Sequence, residues 1–427
     1  MRVPLPLPYL ALVSWLTLGS PADIAWAQAP GARAKTRGAP DLTRYQWSRT
    51  TGAAAWSPRA GLQAAELGNR LFVLGGRTPL NPAEVGFPGA SILWNDVWTS
   101  DDLGATWQLA LPPGNLGQFD PRAYFQAVTK DDHLWVLGGQ NFRVIPNPNP
   151  APGAPPFLSV SDFFNDVWRS PDGVQWTPVT TNAPWSPRAG LSSIVFNGEI
   201  YVLGGSLNDD DSIVGGPPQR IYFNDVWKSA DGLNWTATTT NAPWAPRAGA
   251  AVVVKNGWLY LLGGEFGFLC APQPCTLPYF NDVWRTRDGA HWELVTAAAG
   301  WSPRPGHQAA VVLDQIVVFG GFGLPFNPSD MWASRDGRHW TEVNRAPWNA
   351  LSSGDIKYDF DALAVSGGPG GLRPSILTFG GDRETFDFGD PLNYLRVDRD
   401  VWRWSPEPPP PKQGIPAGAA ESLWPIP

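Results

Sequence analysis

Two short apolar runs, joined by Asn-Gly at 197–198 and ended by Gly-Gly, stand at residues 191–205, LSSIVFNGEIYVLGG. Asn-Gly between runs rich in β-branched and aromatic residues is a strong signal for a tight β-hairpin. Downstream, Asp-Val-Trp at 225–227 begins a third apolar run, and an Asp-Gly turn at 231–232 separates it from a fourth. The stretch therefore predicts four short antiparallel strands in a row.

The same unit recurs along the chain. Gly-Gly pairs begin at residues 75, 138, 204, 263, 320 and 380, and each precedes a Trp that follows an Asp, at 98, 168, 227, 284, 332 and 402. A regular period of this length is typical of arrays of similar supersecondary units. Recurring units of four antiparallel strands predict the blades of a β-propeller.

The last copy lacks a fourth strand, because Trp402 and Trp404 run directly into a Pro-rich tail at 406–427. Its counterpart stands at the other end of the chain, where Tyr45-Gln46-Trp47-Ser48 precedes a Trp-Ser-Pro-Arg segment in the order found in the other copies. We therefore expect an all-β, six-bladed propeller over residues 44–405, closed by its own N-terminal strand. Such closure removes the exposed edges of an open ring.

The Gly-Gly pair, the downstream aromatic pair and the repeat length resemble the kelch repeat, and the resemblance covers residues 44–405. It implies a kelch-type β-propeller. Residues 100–107 also resemble the Asp-box, a blade turn of sialidase-type propellers that carries no catalysis there. A weaker likeness, to secreted bacterial propellers of the N-acetylneuraminate epimerase type, implies an acidic sugar held by Arg beside a carboxylate that moves protons. The chain lacks the His residues of a galactose oxidase-type copper site.

The N-terminus predicts export. Residues 1–27 contain Arg2, an apolar stretch through Leu18 and a small-residue cleavage site, as in a secretory signal peptide, and residues 28–43 read as a linker. We expect a secreted or periplasmic protein with no membrane insertion after cleavage. In an oxidising compartment, Cys270 and Cys275 predict a local disulfide.

Charge and composition limit the partners. The formal net charge is −7, and Lys and Arg form no runs, which argues against nucleic acid and anionic membranes. Two Cys residues without a neighbouring His make a poor metal site, so neither a metal nor a cofactor is expected.

Strand direction divides the ring into two faces. The Pro-Arg segments that enter the first strands and the loops after Gly-Gly share one face, here called face A, whereas the hairpin and Asp-Gly turns lie on face B. The long loops, 140–163, 206–222 and 265–280, belong to face A. Long loops on a rigid scaffold commonly carry binding sites, so we expect the site there.

One arginine recurs in each of five copies, and the sixth copy has Tyr358 or Asp359 in its place. The five are Arg59, Arg122, Arg188, Arg247 and Arg304. Five guanidinium groups around one channel mouth would bind a carboxylate or sulfate. The alternative is that each arginine pairs with the Asp that starts the third strand and fastens the ring; these are Asp96, Asp166, Asp225, Asp282, Asp330 and Asp400.

The position after each Gly-Gly varies, as a pocket lining would. It reads Arg77, Gln140, Ser206, Glu265, Phe322 and Asp382. Arg77 and Gln140 join the five arginines as candidate ligand-binding residues. Glu265 and Asp382 are candidate catalytic groups, with solvated loop carboxylates as the alternative, and His307 is a third, with a structural histidine as the alternative.

Two functions follow from these patterns. The first is a binding module that holds a glycan, an acidic small molecule or a protein on face A. The alternative is an enzyme acting on an acidic sugar, of the epimerase or lyase type. The sequence shows no nucleophile, metal cluster or repeated acid pair, which favours the binding module. Whether the protein is an enzyme stays open at this stage.

Overall fold

The part of the protein that the structure describes is all-β apart from four short helical turns. A computed structural model describes residues 42–85, 90–148, 156–207, 221–267, 278–323, 328–349, 356–365, 374–384, 390 and 392–406. The predicted signal peptide, Cys270, Cys275 and nearly all of the Pro-rich tail lie outside these residues. Within the described part, no helix is long and apolar enough to span a membrane.

Six four-stranded antiparallel sheets make up the described chain. Sheet 1 contains β2 Gln63–Leu67, β3 Arg70–Pro79, β4 Ser91–Ser100 and β5 Gln108–Leu111. Sheet 2 contains β6 Gln126–Lys130, β7 His133–Leu137, β10 Val167–Ser170 and β11 Thr177–Thr180. Sheet 3 contains β12 Ser192–Phe196, β13 Glu199–Leu203, β16 Val226–Ser229 and β17 Thr236–Thr239.

The remaining sheets follow the same order. Sheet 4 contains β18 Ala251–Lys255, β19 Trp258–Glu265, β20 Tyr279–Thr286 and β21 Trp292–Thr296. Sheet 5 contains β22 His307–Val312, β23 Gln315–Gly320, β24 Asp330–Ser334 and β25 Thr341–Arg345. Sheet 6 contains β26 Asp361–Val365, β27 Ser375–Asp382, β28 Val397–Ser405 and β1 Gln46–Thr51.

Two-stranded ladders and short helices complete the described chain. The ladders are β8 Gln140–Pro146 with β9 Phe157–Phe163, and β14 Ser206–Leu207 with β15 Ile221–Tyr222. The helical turns are α1 Pro82–Val85 and the 3-10 segments Leu42–Arg44, Pro347–Asn349 and Asn393–Leu395. The ladders extend sheets 2 and 3 on face A, at the positions of two of the predicted long loops.

The predicted hairpin forms at Asn197-Gly198. Phe196 pairs with Glu199 across the turn, and both turn residues have positive φ, 52° and 78°. Two consecutive left-handed residues define the tight turn that matches the twist of antiparallel strands, and Asn and Gly tolerate that backbone best.

The first and last described strands lie side by side. β1 pairs with β28 in antiparallel register, with Trp47 opposite Trp404 and Gln46 opposite Ser405. The N-terminal segment thus supplies the fourth strand that the sequence of the last copy lacks.

Aromatic pairs hold each Pro-Arg segment against the fourth-strand Trp. In the pairs formed by Trp56–Trp107, Trp185–Trp235, Trp244–Trp292 and Trp301–Trp340, the rings meet edge to face with centroids 5.8–6.2 Å apart. Edge-to-face contact suits the charge distribution of aromatic rings. The Trp residues of the Pro-Arg segments are therefore fully buried, and the fourth-strand Trp residues pack against them.

The inner strands of the six sheets are neighbours in cyclic order. β2 contacts β6, β6 contacts β12, and the series continues through β18, β22 and β26, which contacts β2 again. This arrangement of four-stranded antiparallel sheets is consistent with a propeller and brings the starts of all six inner strands together.

Candidate functional site

The five repeated arginines lie buried behind the inner strands. Their side chains are 0–1% exposed, and each pairs at 2.6 Å with the Asp predicted as the alternative partner. The Asp residues, in chain order of the arginines, are Asp96, Asp166, Asp225, Asp282 and Asp330. The geometry corresponds to the alternative in which each of these arginines pairs with the Asp of its own copy as a fastener.

Each arginine also binds its own sheet. Arg188 donates from Nη1 to Gly204 O at 2.8 Å, and from Nη2 to the second carboxylate oxygen of Asp225 at 3.0 Å. The Trp that follows donates its indole N–H to the same carboxylate, at 2.8 Å for Trp227. A buried charge needs such a complete set of partners, which explains why the motif recurs.

The sixth copy uses a lysine in place of the arginine. Lys357 Nζ, which is 0% exposed, forms ion pairs with Asp400 and, at 3.2 Å, with Asp398. The prediction of Tyr358 or Asp359 at this position is wrong, because the backbone register places Lys357 there and the two named residues one and two positions later. The sequence gives no sign of this lysine, because Ile356-Lys357 replaces the Pro-Arg that marks the position in the other copies.

A central cavity lies between the six inner strands. Its volume is about 320 Å³, and residues of all six inner strands line it. Small-molecule sites in proteins typically enclose about 300–1,000 Å³. Its lining begins two positions after each repeated Arg or Lys, at the face A ends of the inner strands.

In five of the six copies, the side chain four positions after the Arg or Lys forms a hydrogen bond to the next inner strand, and Ala251 is the exception. Ala127 N–H donates to Gln63 at 3.1 Å, Ser193 N–H donates to Gln126 at 3.1 Å, and Gln308 donates to Phe360 O at 2.6 Å. At the corresponding place Ser192 donates to Ala250 O at 2.6 Å. These are structural contacts in the cavity wall.

Asp361 stands where the other copies have an amide, a hydroxyl or Ala251. It accepts hydrogen bonds from Ala64 N–H at 2.6 Å and from Ala362 N–H at 2.8 Å. Burial raises the pKa of Asp361 to about 7, against these two hydrogen bonds, which favour the charged form. A titratable group thus sits in the cavity wall.

The rim of the cavity is formed by the six residues two positions after the Arg or Lys. All six have φ between 49° and 62°: Gly61, Tyr124, Gly190, Gly249, Gly306 and Asp359. This left-handed backbone suits glycine, and a bulky residue there is uncommon and strained. Tyr124 and Asp359 therefore depart from the repeat at a structural cost, which is frequent at functional sites.

The positions after Gly-Gly lie beside the rim. Their backbones pair with the residue that follows each Arg or Lys, as in Arg77 with Ala60, Gln140 with Ala123, Glu265 with Ala248 and Asp382 with Tyr358. The corresponding contact of Phe322 is its N–H donating to Pro305 O at 3.1 Å. The structure thus gathers the variable positions around the mouth of the cavity.

Arg77 and Asp382, predicted separately, come together at this rim. Arg77 Nη2 lies 2.5 Å from Asp382 Oδ2, and its Nε donates to the hydroxyl of Tyr124 at 2.7 Å. Asp382 is fully buried, and Glu384 N–H donates to its other oxygen at 2.9 Å. Tyr124, just before β6 of sheet 2, thus contacts Arg77 of sheet 1, and Arg77 is paired with Asp382 of sheet 6.

Two further ionisable side chains adjoin this group. Burial and the Asp382 carboxylate raise the pKa of Glu384 to about 7, while Arg77 and a hydrogen bond from Tyr358 oppose the rise. Burial also raises the pKa of Asp382 and, with nearby carboxylates, that of Tyr358. We call Arg77, Tyr124, Tyr358, Asp382 and Glu384 the rim cluster.

The other candidates are not part of the rim cluster. Gln140 is 4% exposed at the start of β8, and Glu265 ends β19 with its carboxylate beside rim Gly249. His307 begins β22, is 3% exposed and packs on Trp301. Burial, with Arg304 nearby, lowers the pKa of His307 to about 3, so the ring is neutral near pH 7 and is a weak base.

Sequence reasoning did not single out Tyr124, Asp361 or Glu384. The first two have a signal: Tyr124 stands where four other copies have Gly, and Asp361 stands where the other copies have Gln, Ser or Ala. Glu384 has none, because it stands outside the repeated positions. Among the described residues, no group of three or more His, Cys, Asp or Glu is arranged to hold a metal ion.

Comparison with known sequences supports the repeat family. No family model matches the chain. An F-box/kelch-repeat protein, SKIP4, of Arabidopsis thaliana is 27% identical over 230 residues, which are 53% of this chain and 50% of that protein. An N-acetylneuraminate epimerase of Pasteurella multocida is 27% identical over 132 residues, 25% of this chain and 35% of the relative. The matches thus span half or less of the relatives' lengths.

Comparison with solved structures supports the fold. A structure described as that of YjhT matches with a TM-score of 0.56 and 17% sequence identity, covering 82% of this chain and 96% of that one. At this identity the match concerns the fold alone. Together these findings support the kelch-repeat propeller family for this chain and confirm the resemblance predicted from its repeat.

Proposed function

We propose that this protein is an extracytoplasmic, six-bladed kelch-type propeller, closed by its N-terminal strand, that binds a small polar ligand at the face A mouth of its central cavity. The observation that carries the proposal is the coincidence of a cavity with the breaks in the repeat. Tyr124 and Asp359 replace glycine at the rim, and the rim cluster joins sheets 1, 2 and 6 beside it. Features shared by all copies serve the ring, so residues that break the pattern are the better functional candidates.

Closure by β1 is the structural part of the proposal. It is supported by the pairing of β1 with β28 and by the cyclic contacts of the inner strands. Deleting residues 44–50 is expected to open the ring and lower the melting temperature strongly, whereas deleting residues 32–38 has little effect. Equal melting temperatures for the two deletions would refute closure.

The binding site is tested by a thermal-shift panel of neutral sugars, amino sugars, acidic sugars and small amines. A ligand that stabilises the protein is then titrated against Tyr124→Phe, which removes the hydroxyl that accepts from Arg77. Tyr45→Phe is the matched control, because it removes a hydroxyl that donates to Pro374 O at 2.9 Å away from the rim. Weaker binding to Tyr124→Phe alone supports the proposal; equal weakening in both variants contradicts it.

The alternative function, an enzyme acting on an acidic sugar, retains one favourable observation. Glu384, with a pKa of about 7 beside the buried Asp382, has the property of a general acid or base near neutral pH. The other half of this alternative, in which an arginine holds the carboxylate of the sugar, has no comparable support, since the five repeated arginines are buried in ion pairs. Turnover of any acidic sugar that is lost in Glu384→Gln would favour the enzyme over the binding module.

Export is the remaining part of the proposal. The N-terminal pattern supports signal cleavage near Ala27 or Ala29, and a secreted or periplasmic location would allow the Cys270–Cys275 disulfide. The intact mass and the N-terminal residue of the protein recovered from the periplasm or medium test cleavage. A full-length chain retained in the cytoplasm would contradict this part and leave the site proposal intact.

A further inference from the structure

The lining of the central cavity carries negative charge without positive charge. Its ionisable side chains are Asp359, Asp361 and His307, together with the hydroxyl of Tyr124, and no Lys or Arg is among its lining residues. His307 is neutral near pH 7, because burial lowers its pKa to about 3. Any net charge on the lining therefore comes from carboxylates.

The cations nearest to the cavity are already engaged. The repeated arginines are paired with Asp residues, and Lys357 contacts both Asp398 and Asp400. Arg77, at the mouth, is 2.5 Å from Asp382. A carboxylate ligand would therefore meet the lining carboxylates without an uncommitted cation to offset them, which is an unfavourable arrangement in a partly desolvated site.

A second feature of the wall points to a polar ligand. Ser193 lines the cavity and is 7% exposed, and its hydroxyl has no hydrogen-bond partner among the described residues. A buried hydroxyl without a partner is costly, and a ligand hydroxyl would satisfy it. The aromatic ring of Tyr124 at the rim adds a face on which an organic cation can rest.

We propose that the central cavity selects a small organic ammonium ion bearing a hydroxyl group, over neutral and carboxylate-bearing molecules of the same shape. This inference rests on the proposed function and adds the charge of the ligand. Asp359 and Asp361 provide the attraction, and Ser193 receives the hydroxyl. The charge is opposite to that of the acidic ligand expected from five free arginines.

Binding of such a cation is coupled to the ionisation of Asp361. The titratable groups on the strands packed against β26 are Glu66 of β2, His307 of β22 and Asp382 of β27. Burial holds the Asp361 carboxyl protonated below about pH 7, and a cation nearby favours the carboxylate. At pH 6 the complex therefore forms with release of up to about one proton.

The test uses three probes of one shape: choline, its neutral isostere 3,3-dimethylbutan-1-ol, and 3,3-dimethylbutanoate. Calorimetric titration of the intact protein at pH 6 is expected to show choline binding about tenfold or more tightly than the alcohol, and no binding of the carboxylate. Repeating the choline titration in phosphate and MES buffers gives the number of protons released. Asp361→Asn is expected to abolish the release, and Asp359→Asn to reduce the preference for choline.

The controls separate the two proposals. Asp132→Asn makes the same charge change on the face B turn after β6 and is expected to leave the preference unchanged. Ser193→Ala is expected to weaken both hydroxylated probes equally. Melting curves show whether each variant is folded. If Asp359→Asn is not folded, Asp359→Gly replaces it, because glycine is the residue at four other rim positions.

Three outcomes overturn the inference: the carboxylate binds as tightly as choline, the preference survives Asp359→Asn unchanged, or no probe binds. If another ligand of the thermal-shift panel still binds and is weakened by Ser193→Ala, the proposed function stands while the cation inference fails. If no ligand binds at the cavity in either experiment, both fail.

Discussion

The repeated ion pairs and the rim cluster both contain a buried Arg–Asp pair, but only the first recurs along the chain. Arg188 and Asp225 form one of five recurring buried pairs behind the inner strands. Arg77 and Asp382 occur once, across sheets 1 and 6, and involve a tyrosine in left-handed backbone. The first group repeats with the fold, and the second interrupts it.

This difference shows how a repeat protein separates stability from function. Every copy must hold its inner strand in place, so the fasteners recur. A ligand contacts the rim asymmetrically, so binding residues need not recur. In this chain, departure from the repeat is therefore more informative about function than the repeat itself.

The largest expected effect comes from breaking a fastener. Arg188→Met leaves Asp225 and Gly204 O without their buried partner and should lower the free energy of unfolding by about 3–5 kcal/mol. Chemical denaturation measures the change. Arg143→Met is the control, since Arg143 and Asp162 are half exposed and such a pair contributes about 0–1 kcal/mol. Similar losses in the two variants would show that the repeated pairs are not fasteners.

An intermediate effect is expected from Asp361. Burial raises the pKa of Asp361 from 3.8 to about 7. Between about pH 4 and about pH 7, Asp361 is therefore ionised in the unfolded chain and protonated in the folded protein, so the free energy of unfolding falls as the pH rises. One pKa unit corresponds to about 1.4 kcal/mol, so the penalty reaches up to about 4 kcal/mol. Asp361→Asn should therefore raise the melting temperature more at pH 8 than at pH 5. An equal change at both pH values would show that Asp361 is not a buried titrating group.

The smallest effect concerns strain at the rim. Asp359→Gly should stabilise the fold by up to about 1 kcal/mol, because glycine adopts the left-handed backbone without cost. Gly190→Ala, at the equivalent position with φ of 58°, should destabilise it by about 1–2 kcal/mol. Thermal denaturation compares the two. If Asp359→Gly is destabilising, the aspartate contributes to stability and its departure from the repeat is not evidence for a ligand.

Much of the fold was predictable because its signals are local. The Asn-Gly turn, the Asp-box resemblance at 100–107 and the repeated Trp residues each act within a few positions and recur in several copies. In the structure, Ser100 accepts from Gly104 N–H at 2.9 Å, and Asp102 accepts from Thr106 N–H at 2.8 Å, as a fastened turn requires. The pairing of β1 with β28 was also readable, because the missing strand had a matching segment elsewhere.

The candidate site was only partly predictable because its contacts are long-range. The variable positions Arg77 and Asp382 were identified, yet their separation by 305 positions hid the ion pair. The lysine of the sixth fastener was missed since its residue type differs, although its geometry is equivalent.

The sequence by itself determined the repeat, the strand order within each unit and the positions that vary, because these depend on local turn geometry and on alternation of apolar residues. Only the tertiary structure decided where the charges point. Burial and partners determine whether an arginine is available to a ligand, and both depend on residues far apart in the chain. The same five arginines that suggested an anion site are buried in ion pairs, and the lining of the central cavity contains two carboxylates and no Lys or Arg.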